Sequence, residues 1–481
     1  MEKSKFIFGN EISNKIYNKA LKARKKSIKR FGDDSNEIYH LRASNNETLF
    51  PYLGIKNIIT TEEKGDLNIE KGLIIGNIRM GFGHYRISMA IASAANSMGY
   101  TPYWFDLNSY SETTGGKVIA HLNSLYSMGS RWSQKYPLFN RFYWEPLNSE
   151  GFRKLSYNAI DQKTSELMTP IYHQLPKNMP FIATHVWPAQ AAVHAGMNKV
   201  VNVIPDNWPM ALHLSEGSIH TVQTPSSFLG YKTLKGMDGT KTLKPIPDDQ
   251  IYEVGHYIDH ELVVNLDEDS KKRVDRIKDK ETKRILLTIG GAGAQKDIFA
   301  KILLDLIPQV KEQKVAIYLN VGDHKDVWEE LCNEIPELSL LSKTYFNDWS
   351  KTCDFAKTAL DHSVSGIHAF YNEDIFAAVY SSNLLMRSSD LLITKPSELA
   401  FYPIPKLLIK RVGGHEAWGA VTSAEVGDGT IECDTVDRTL QMLDLMLSSD
   451  KILTLLNENI IKANSIGKYN GAYKVVELAT Q

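Results

Sequence analysis

A histidine lies where a glycine-rich turn runs into a helix, in the segment GFGH at residues 81–84. Gly81 and Gly83 allow a tight turn because they have no Cβ atom, and apolar side chains recur at helical spacing after them. The positive end of a helix dipole favours the neutral form of an imidazole, which can accept a proton near pH 7. The sequence therefore predicts a general base at His84, with a structural or capping histidine as the alternative.

Two further polar side chains follow strands predicted in the same half of the chain. The strand FIAT ends at His185, and the strand VVNVI ends before Asp206. Because parallel strands end at the same edge of a sheet, we expect both side chains to converge with His84. Asp206 could orient His84 or itself accept a proton, unless it only caps a turn. In the segment THVWPAQ, Gln190 could hold a substrate hydroxyl.

A second glycine-rich turn, GGAG at residues 290–293, follows an apolar strand in the other half of the chain and precedes a helix. Backbone amides at a helix start point at an anion, so residues 291–294 predict a phosphate site with Lys296 beside it. Further along, the strand LLIT is followed by KPSE, whose carboxylate is Glu398. A carboxylate at a helix start near a cleft can bind the two hydroxyls of a ribose, or it can simply stabilise that helix.

Several common catalytic motifs are missing. The dinucleotide pattern GxGxxG would need a third glycine at position 86, where this chain has Arg86. No GxSxG or GxxxxGKS/T sequence is present, which removes the usual support for serine hydrolases and P-loop enzymes. The histidines show no HExxH, HxH or Cys/His spacing typical of zinc. We therefore expect no metal and no resident cofactor.

The composition is that of a globular protein with large cores. The chain has 481 residues, of which 43% are apolar and 23% charged, so we expect two or three domains. A formal net charge of −1 gives no general case for nucleic acid as a partner. The three cysteines are far apart and form no CxxC pair, which favours the cytoplasm over a disulfide framework. No apolar run is long enough for a membrane span, and the N-terminus lacks the apolar core of a secretory signal.

The first 31 residues are strongly basic, with ten Lys and Arg against two Glu. Apolar residues at helical spacing, from Ile12 to Ala23, lie among these cations. Such a helix can rest on an anionic membrane surface, where each cation near the lipid adds roughly 1 kcal/mol of attraction. It can equally be a solvated helix that packs on the domain, because its apolar stripe lacks Trp, Phe and Leu.

Each glycine-rich turn belongs to its own series of alternating strands and helices. Two such series predict an α/β protein with two Rossmann-like doubly wound parallel-sheet domains that face each other across a cleft. We expect four parts, namely a basic helical extension, a first sheet domain, a second sheet domain and a C-terminal helix that packs back on the first domain, at residues 1–66, 67–266, 267–450 and 451–481.

The stretches between the predicted strands differ in character. Residues 32–70 are polar and predict a connecting region. The charged run at 267–284 predicts a solvated helix followed by a domain boundary. Residues 108–177 are rich in Trp, Tyr and Phe. They predict helices over the sheet together with an aromatic surface on the acceptor side, with aromatic core packing as the alternative.

Together these motifs resemble the GT-B glycosyltransferases of the group that contains MurG, the monogalactosyldiacylglycerol synthases and the bacterial diacylglycerol glucosyltransferases. The resemblance covers roughly residues 71–429. In the first half it rests on GFGH with Arg86 behind it, on THVWPAQ, which is similar to the family's HPxxQ, on the PD pair after the next strand, and on YEVGHYID. In the second half it rests on LLTIGGAG, SDLLITKP, the spacing from Glu398 to Pro405, and GGHE.

The resemblance implies inverting transfer from a nucleotide-diphosphate sugar, usually UDP-linked, without a metal. The first domain would hold the acceptor and the second the donor. The expected catalytic residues are His84 and Asp206. On the acceptor side we expect Gly81, Gly83, Arg86, His185 and Gln190. On the donor side we expect Gly291 and Gly293 at the diphosphate, Glu398 at the ribose, His415 and Glu416 at the sugar hydroxyls, and Lys296, Lys395 and Ser397 beside them.

The chain departs from this family at KPSE. The family has a glycine pair and a threonine before the glutamate, so this loop is shorter by several residues and Ser397 takes over the turn. We expect a metal-independent hexosyltransferase that is cytoplasmic and peripheral to a membrane, with a membrane lipid as a candidate acceptor. Two alternatives stay open. One is a UDP-sugar 2-epimerase, which forms product without an acceptor, and the other is a non-catalytic nucleotide-sugar-binding protein.

Overall fold

The N-terminal domain is built on one large sheet. The computed structural model describes residues 2–63, 65, 67, 69–290 and 295–481. The strands of this domain are β1 (Phe6–Ile7), β2 (Asn10–Glu11), β3 (His40–Asn45), β4 (Lys56–Thr61), β5 (Gly72–Asn77), β6 (Thr101–Asp106), β7 (Phe181–Ala183), β8 (Val200–Val203), β9 (Ile219–Val222) and β10 (Ile251–Glu253). Its helices are α1 (Asn14–Phe31), α2 (Phe50–Leu53), α3 (Gly83–Ser97), α4 (Thr114–Lys135), α5 (Pro137–Phe139), α6 (Leu155–Ser165), α7 (Val186–His194), α8 (Pro225–Lys232) and α9 (His260–Val264).

The sheet has the strand order β10-β9-β8-β7-β5-β6-β4-β3. The pair β3 and β4 is antiparallel, and the other neighbouring strands are parallel. Strands β1 and β2 form a separate hairpin. Short 3-10 turns and π-helical turns complete the domain, the former at Leu107–Ser109, Glu166–Tyr172, Ala211–His213 and Asp248–Gln250, and the latter at Asn140–Trp144 and Leu147–Gly151.

The C-terminal domain has a second parallel sheet. Its strands are β11 (Lys283–Thr288), β12 (Val315–Asn320), β13 (Ser342–Phe346), β14 (Gly366–Tyr371), β15 (Leu391–Thr394) and β16 (Lys406–Leu408), in the order β13-β14-β12-β11-β15-β16. Its helices are α10 (Leu266–Lys278), α11 (Lys296–Lys311), α12 (Lys325–Glu334), α13 (Pro336–Leu341), α14 (Trp349–Thr358), α15 (Ile375–Met386), α16 (Ala417–Val426), α17 (Val436–Ser448), α18 (Asp450–Ser465) and α19 (Gly471–Thr480). Further 3-10 turns lie at Glu398–Phe401 and Gly414–Glu416.

The central strands are buried on both sides and mostly apolar, because helices cover both faces of each sheet. In β5, Leu73 and Ile75 join one buried cluster while Ile74 joins the cluster on the opposite face. In β11, Ile285 and Leu287 likewise join one buried cluster, while Leu286 joins the cluster on the opposite face. The structure confirms the predicted fold class: two Rossmann-like doubly wound parallel-sheet domains that face each other, the GT-B arrangement.

The polar region before the first glycine turn contains strands that the sequence analysis did not predict. Strands β3 and β4 extend the edge of the N-terminal sheet beyond β6. Only part of their side chains is buried, since they lie at the sheet edge, so their apolar signal is weak. A predicted helical extension therefore contributes to the sheet itself.

The charged run after residue 266 forms helix α10, but one face of this helix is not solvated. Arg273 is fully buried and donates to the backbone oxygens of Ser389 at 2.8 Å and Met386 at 3.0 Å. Arg276 forms a buried ion pair of 2.7 Å with Asp390. The prediction of a solvated helix was wrong because backbone carbonyls and one carboxylate compensate these buried guanidinium groups.

The first long helix and the last helix of the chain pack on the N-terminal domain, whereas α18 packs within the C-terminal domain. Helix α1 packs on α6, buries Ala20, and forms an ion pair of 3.1 Å between Arg24 and Glu166. Helix α18 packs on α10, and α19 packs on α3 with Val475 and Val476 in its buried face. No helix among the described residues is long and apolar enough to cross a bilayer.

Candidate functional site

Each sheet has one topological switch point, where successive strands are added on opposite sides. In the N-terminal sheet β5 lies between β6 and β7, and in the C-terminal sheet β11 lies between β12 and β15. The loops that leave these central strands separate there and open a crevice, in which open α/β sheets bind their ligands. His84 follows β5 and Lys395 follows β15, so each crevice contains a residue predicted from the sequence.

His84 lies in the first turn of α3 with one ring nitrogen engaged. Its Nδ1 lies 2.6 Å from the backbone oxygen of Thr184, the residue after β7. A carbonyl oxygen can only accept, so Nδ1 carries the proton and Nε2 keeps its lone pair in the neutral ring. No described residue forms a hydrogen bond with Nε2. This nitrogen is therefore available to a hydroxyl group in the crevice.

The surroundings of His84 favour its neutral form. Burial lowers the pKa of His84, against the opposing effects of the Thr184 hydrogen bond and of the nearby carboxylates Asp206 and Glu398. The first turn of a helix acts in the same direction as burial. The imidazole is therefore neutral near pH 7, the state that a general base requires.

His185 lies against His84, and it also caps a helix. The two ring centroids are 4.8 Å apart with the rings nearly perpendicular. Nδ1 of His185 accepts a hydrogen bond of 3.1 Å from the backbone nitrogen of Trp187, which leaves its proton on Nε2. Burial, together with His84 and His213, lowers the pKa of His185 well below the usual value. His185 is thus a neutral donor beside a neutral acceptor.

Asp206 remains ionised next to these imidazoles. Its Oδ2 lies 3.1 Å from Nε2 of His213, on the short turn after β8. Burial alone would raise the pKa of Asp206, but the hydrogen bond from His213 and the fields of His415, His213 and His84 hold that pKa below its ordinary value. The sequence analysis did not single out His213 as a partner of Asp206, because it lies on a 3-10 turn and not at the end of a strand.

The C-terminal switch point encloses a narrow cavity. Phe82 and Arg86 of the N-terminal domain line one side of it. The lining residues from the ends of β11, β12 and β15 include Thr288, Gly290, Asn320, Thr394, Lys395, Ser397 and Glu398. A Cβ on Gly290 would lie 3.2 Å from Lys395 Cε, a close contact, so the backbone passes near this side chain. The hydroxyl oxygen of Thr288 is buried and has no hydrogen-bond partner among the described residues. A cation and a hydroxyl group thus line the same cavity.

Lys395 and Glu416 form an ion pair at this cavity. Burial would lower the pKa of Lys395, but Glu416 and Glu398 raise it above the usual value. The second oxygen of Glu416 accepts from the backbone nitrogens of Val412 at 2.7 Å and Gly413 at 3.3 Å. Glu416 therefore holds the 412–414 loop and the ammonium group, which leaves it little capacity for the sugar hydroxyls that the resemblance implied. His415, beside it, has a buried Nδ1 that no described residue engages.

Arg86 crosses from one domain to the other. Its guanidinium donates to Asn383 Oδ1 at 2.6 Å and to the Val379 oxygen at 3.1 Å, both on α15. Its Nε lies 3.5 Å from Oε1 of Glu398. Arg86 is therefore an interdomain residue that lines this cavity, which differs from the predicted acceptor-side position. Glu398 begins a 3-10 turn and not an α-helix, and its Oε2 has no hydrogen-bond partner among the described residues.

The first glycine turn as a whole faces the second domain. Phe82 packs against Gly322, where a Cβ would lie 2.6 Å from the ring, and Arg79 pairs with Asp323. A Cβ on Gly83 would lie 3.3 Å from Glu398 Oε2. Gly81 has a φ of +77° and an open environment, so glycine is required there for its backbone conformation.

Two predicted site residues have other roles. Gln190 is fully buried, accepts from Ser165 at 2.6 Å and donates to the Leu214 oxygen at 3.0 Å, so it cannot reach a substrate. Lys296 forms an ion pair of 2.8 Å with Glu330 and does not line the cavity. Both residues have the expected place in the sequence, but each side chain points at a partner within its own domain. The predicted diphosphate residues Gly291 and Gly293 lie outside the described residues.

Tyr126 is a site residue that the sequence analysis missed. It lies on α4, where its ring packs 5.3 Å from that of Trp144. Burial raises the pKa of Tyr126, and Lys395, Glu416 and Asp206 lie near enough to act on it electrostatically. The hydroxyl is therefore protonated near pH 7. No local signal separates Tyr126 from the other aromatic residues of its segment. Among the described residues no group of three or more His, Cys, Asp and Glu side chains could hold a metal ion.

The chain matches two family models without an assigned function. Residues 6–233 match a domain of unknown function, DUF6937, and residues 246–480 match a second domain of unknown function, DUF6938. No functionally curated protein matches the chain by sequence.

The chain is also similar to solved structures at low sequence identity. A UDP-GlcNAc 2-epimerase from Neisseria meningitidis, bound to UDP-GlcNAc, is 12% identical over 84% of this chain and 98% of its own, with a TM-score of 0.46. An α,α-trehalose 6-phosphate synthase from Burkholderia multivorans is 10% identical over 85% and 98%, with a TM-score of 0.43. A glycosyltransferase from Rickettsia africae is 13% identical over 85% and 99%, with a TM-score of 0.37.

Proposed function

We propose that this protein is a glycosyltransferase that moves a sugar from a nucleoside diphosphate sugar, UDP-linked in the simplest case, to a hydroxyl group of an acceptor. The observation that carries the proposal is a neutral imidazole, His84, whose Nε2 has no partner among the described residues, beside a cavity that contains Lys395. Transfer of a sugar to an alcohol needs a base for the hydroxyl proton and a positive charge for the departing diphosphate.

In the proposed reaction the acceptor oxygen attacks the anomeric carbon as the bond from that carbon to the diphosphate breaks. The hydroxyl proton passes to Nε2 of His84, and the bonding electrons leave with the diphosphate. A single displacement of this kind inverts the configuration at the anomeric carbon. Asp206, which is ionised, stabilises the imidazolium through its field. Lys395 stabilises the charge on the diphosphate, so the reaction needs no metal.

The donor in this proposal lies at the C-terminal switch point. The ammonium group of Lys395 and the unpartnered hydroxyl of Thr288 suit the diphosphate oxygens. Glu398 suits the ribose hydroxyls through Oε2, because Arg86 engages the other oxygen. Tyr126 and His415 remain for the sugar, since Lys395 acts electrostatically on Tyr126 and His415 acts in the same way on Asp206.

A thermal-shift series with nucleotides tests the donor half of the proposal. A ligand at 100 times its dissociation constant stabilises the folded state by about 2.7 kcal/mol. We expect UDP or a UDP-sugar to raise the melting temperature, with uridine far less effective. If nucleotides and nucleotide sugars all leave the melting temperature unchanged while NAD raises it, the proposal fails.

The reaction itself distinguishes the remaining alternatives. We expect release of nucleoside diphosphate only when a hydroxylated acceptor is present. Conversion of the sugar nucleotide without any acceptor would indicate the epimerase. Tight binding without turnover, unaffected by His84→Ala, would indicate a non-catalytic binding protein. A lipid acceptor at an anionic membrane surface is the finer form of this proposal, as is a cytoplasmic, peripheral-membrane location.

A further inference from the structure

An exposed aromatic segment projects from the N-terminal domain beside the cleft. It contains the end of α4, helix α5 and the start of the following π-helical turn, residues 131–143, and is called the aromatic knob here. Five large apolar side chains of the knob are between 48% and 72% exposed, namely Trp132, Tyr136, Leu138, Phe142 and Tyr143. A contiguous exposed apolar patch of this kind marks an interaction surface more often than a single exposed residue does. The alternative that these aromatic residues form a core was therefore wrong for most of the knob.

Packing contacts within the N-terminal domain fix the base of the knob. Trp144 is buried directly after it and packs on Tyr126 at 5.3 Å between ring centroids. A Cβ on Gly129 would collide with the Trp144 ring, so glycine at that position lets the ring lie against α4. Within the knob, the rings of Trp132 and Phe139 meet edge to face at 5.8 Å. The exposed rings thus extend from a fixed base.

The charges of the knob are all positive. Arg131, Lys135 and Arg141 are exposed, and no acidic residue occurs between positions 131 and 143. None of the three forms an ion pair with a described residue. Two of them lie over neighbouring rings, with Lys135 5.7 Å from the ring centre of Tyr136 and Arg141 5.5 Å from that of Phe142. The surface therefore combines unpaired cations with exposed aromatic rings.

We propose that the aromatic knob docks this protein on an anionic phospholipid surface. Aromatic rings with a polar tip suit the boundary between lipid headgroups and acyl chains, and the neighbouring Lys and Arg meet lipid phosphates. A second copy of the chain fits this surface less well, because a two-fold contact between knobs would bring the three cations against the same cations of the partner. Charge complementarity thus favours the lipid.

Helix α1 has a different part in this docking. Ile12 and Ala20 are buried in the domain, so the apolar stripe of the basic segment cannot enter a bilayer. The exposed Lys22, Lys26 and Lys29 on the outer side of α1 remain free to attract anionic lipid. The segment therefore contributes electrostatic attraction, and the knob supplies the side chains that insert.

The knob also lies next to the proposed active site. Asn140 and Glu145 line a groove with Lys410, Arg411 and the 412–414 loop, which lies against Glu416 and His415. An acceptor held in a membrane would then reach the cleft along this side of the domain. This second step rests on the proposed function, whereas the docking itself does not.

Sedimentation of the full-length protein with lipid vesicles tests the docking. We expect binding to vesicles of phosphatidylcholine mixed with phosphatidylglycerol and little binding to phosphatidylcholine alone. The double variant Trp132→Ser, Phe142→Ser should bind at least about tenfold more weakly, because two large apolar side chains no longer enter the interface. The matched control is Leu340→Ser, Ile466→Ser, which removes two even more exposed apolar side chains from the C-terminal domain and should bind like the wild type.

Two further measurements separate the possible outcomes. The variant Lys22→Gln, Lys26→Gln, Lys29→Gln should bind several-fold more weakly at low salt and approach the wild type at high salt. The knob variant should keep its thermal shift with UDP, so that loss of docking and failure of the proposed function are distinguishable. The proposal is overturned if the wild-type protein does not bind anionic vesicles, or if the knob variant binds them as tightly as the wild type does. So would a wild-type dimer that the knob variant converts to a monomer without any change in vesicle binding.

Discussion

The two switch points of this protein have the same topology and opposite electrostatic character. In the N-terminal domain, burial lowers the pKa of both His84 and His185, which leaves two neutral rings side by side. In the C-terminal domain, Lys395 and Glu416 stay charged because they neutralise each other. One crevice therefore contains neutral imidazoles, and the other a buried pair of opposite charges. In the proposed function the first moves a proton and the second holds the diphosphate.

The difference follows from what each side chain can do when it leaves water. An imidazole loses its proton at low cost near neutral pH, so burial simply selects the neutral ring. An ammonium group or a carboxylate keeps its charge near pH 7 only if a partner compensates the lost hydration. Two doubly wound domains of one chain thus differ in the charge of their crevices because of the residue types near their central strand ends, with no change of fold.

The largest effect expected is on catalysis at the N-terminal switch point. His84→Gln removes the base but keeps a polar side chain, so kcat/KM for sugar transfer should fall by roughly a thousandfold. Binding of UDP, measured by calorimetry, should stay within about twofold because the donor lies in the other domain. His362→Gln changes an exposed histidine of the C-terminal domain and should leave both quantities unchanged. A His84→Gln enzyme with more than a tenth of the wild-type rate would contradict this assignment.

The next effect is on nucleotide binding at the C-terminal switch point. Lys395→Met removes the ammonium group and should weaken UDP binding by about 10- to 100-fold, the range for a hydrogen bond to a charged group. Uridine binding should change little, since uridine carries no phosphate. Lys301→Met removes an exposed lysine from α11 and provides the control.

The double variant Lys395→Met, Glu416→Gln tests whether any loss comes from the unpaired carboxylate alone. If this double variant binds UDP as tightly as the wild type does, the assignment of Lys395 to the diphosphate is wrong.

The third effect expected is on the pH dependence of folding stability. It comes from a buried carboxyl group of the N-terminal domain that, unlike Glu416, is not part of an ion pair with a described residue. Asp161 in α6 has no charged partner in the part of the chain that the structure describes, and burial raises its pKa from 3.8 to about 8. The unfolded chain ionises this group near pH 4 while the folded protein keeps the proton, so folding stability falls as pH rises from about 4 to about 8. The slope is at most about 1.4 kcal/mol per pH unit. Asp161→Asn removes this slope.

Thermal melts from pH 5 to pH 8 measure the effect. The stability of Asp161→Asn relative to the wild type should increase with pH and level off above about pH 8. Asp279→Asn, on the exposed end of α10, should run parallel to the wild type. Parallel curves for wild type and Asp161→Asn would mean that Asp161 is already ionised in the folded protein.

The smallest effect expected is a shift in the pH profile of the reaction. Burial lowers the pKa of His84, so activity should be lost on acidification only below pH 6.5, the ordinary value for histidine. Asp206 opposes that shift through its negative charge. Asp206→Asn should therefore move the acid limb of kcat/KM to still lower pH, together with a lower maximal rate. A limb that moves to higher pH would show that Asp206 does not act on His84 in this way.

The sequence predicted the central part of the fold because its signals are local. Strands β5, β7, β8, β11 and β15 are short apolar runs that end at a polar residue or a glycine, and helices at the correct spacing follow two of the glycine turns. The strands β3 and β4 escaped because edge strands are only half buried. Because strand and turn signals are local, the positions of four site residues were also predictable. His84 follows the first glycine turn, and His185, Asp206 and Lys395 follow strands.

The partners of these residues were not predictable from the sequence. Gln190 and Lys296 come after strands in the sequence, as His84 and Lys395 do. Ser165 and Leu214 nevertheless form hydrogen bonds with Gln190, and Glu330 forms an ion pair with Lys296. His213 and Tyr126 reach the site through a turn and a long helix whose positions depend on packing far along the chain. No local pattern records contacts of this kind.

The sequence by itself determined two doubly wound sheets and the residue types at their central strand ends, because apolar runs, glycine turns and helical spacing act over a few residues. Only the tertiary structure decided which of those side chains remain available. Arg86 is the clearest example, since it follows the first glycine turn but pairs with Glu398 of the opposite domain. The physical reason is that hydrogen bonds and ion pairs form between whatever groups packing brings within about 3 to 4 Å, whatever their separation along the chain.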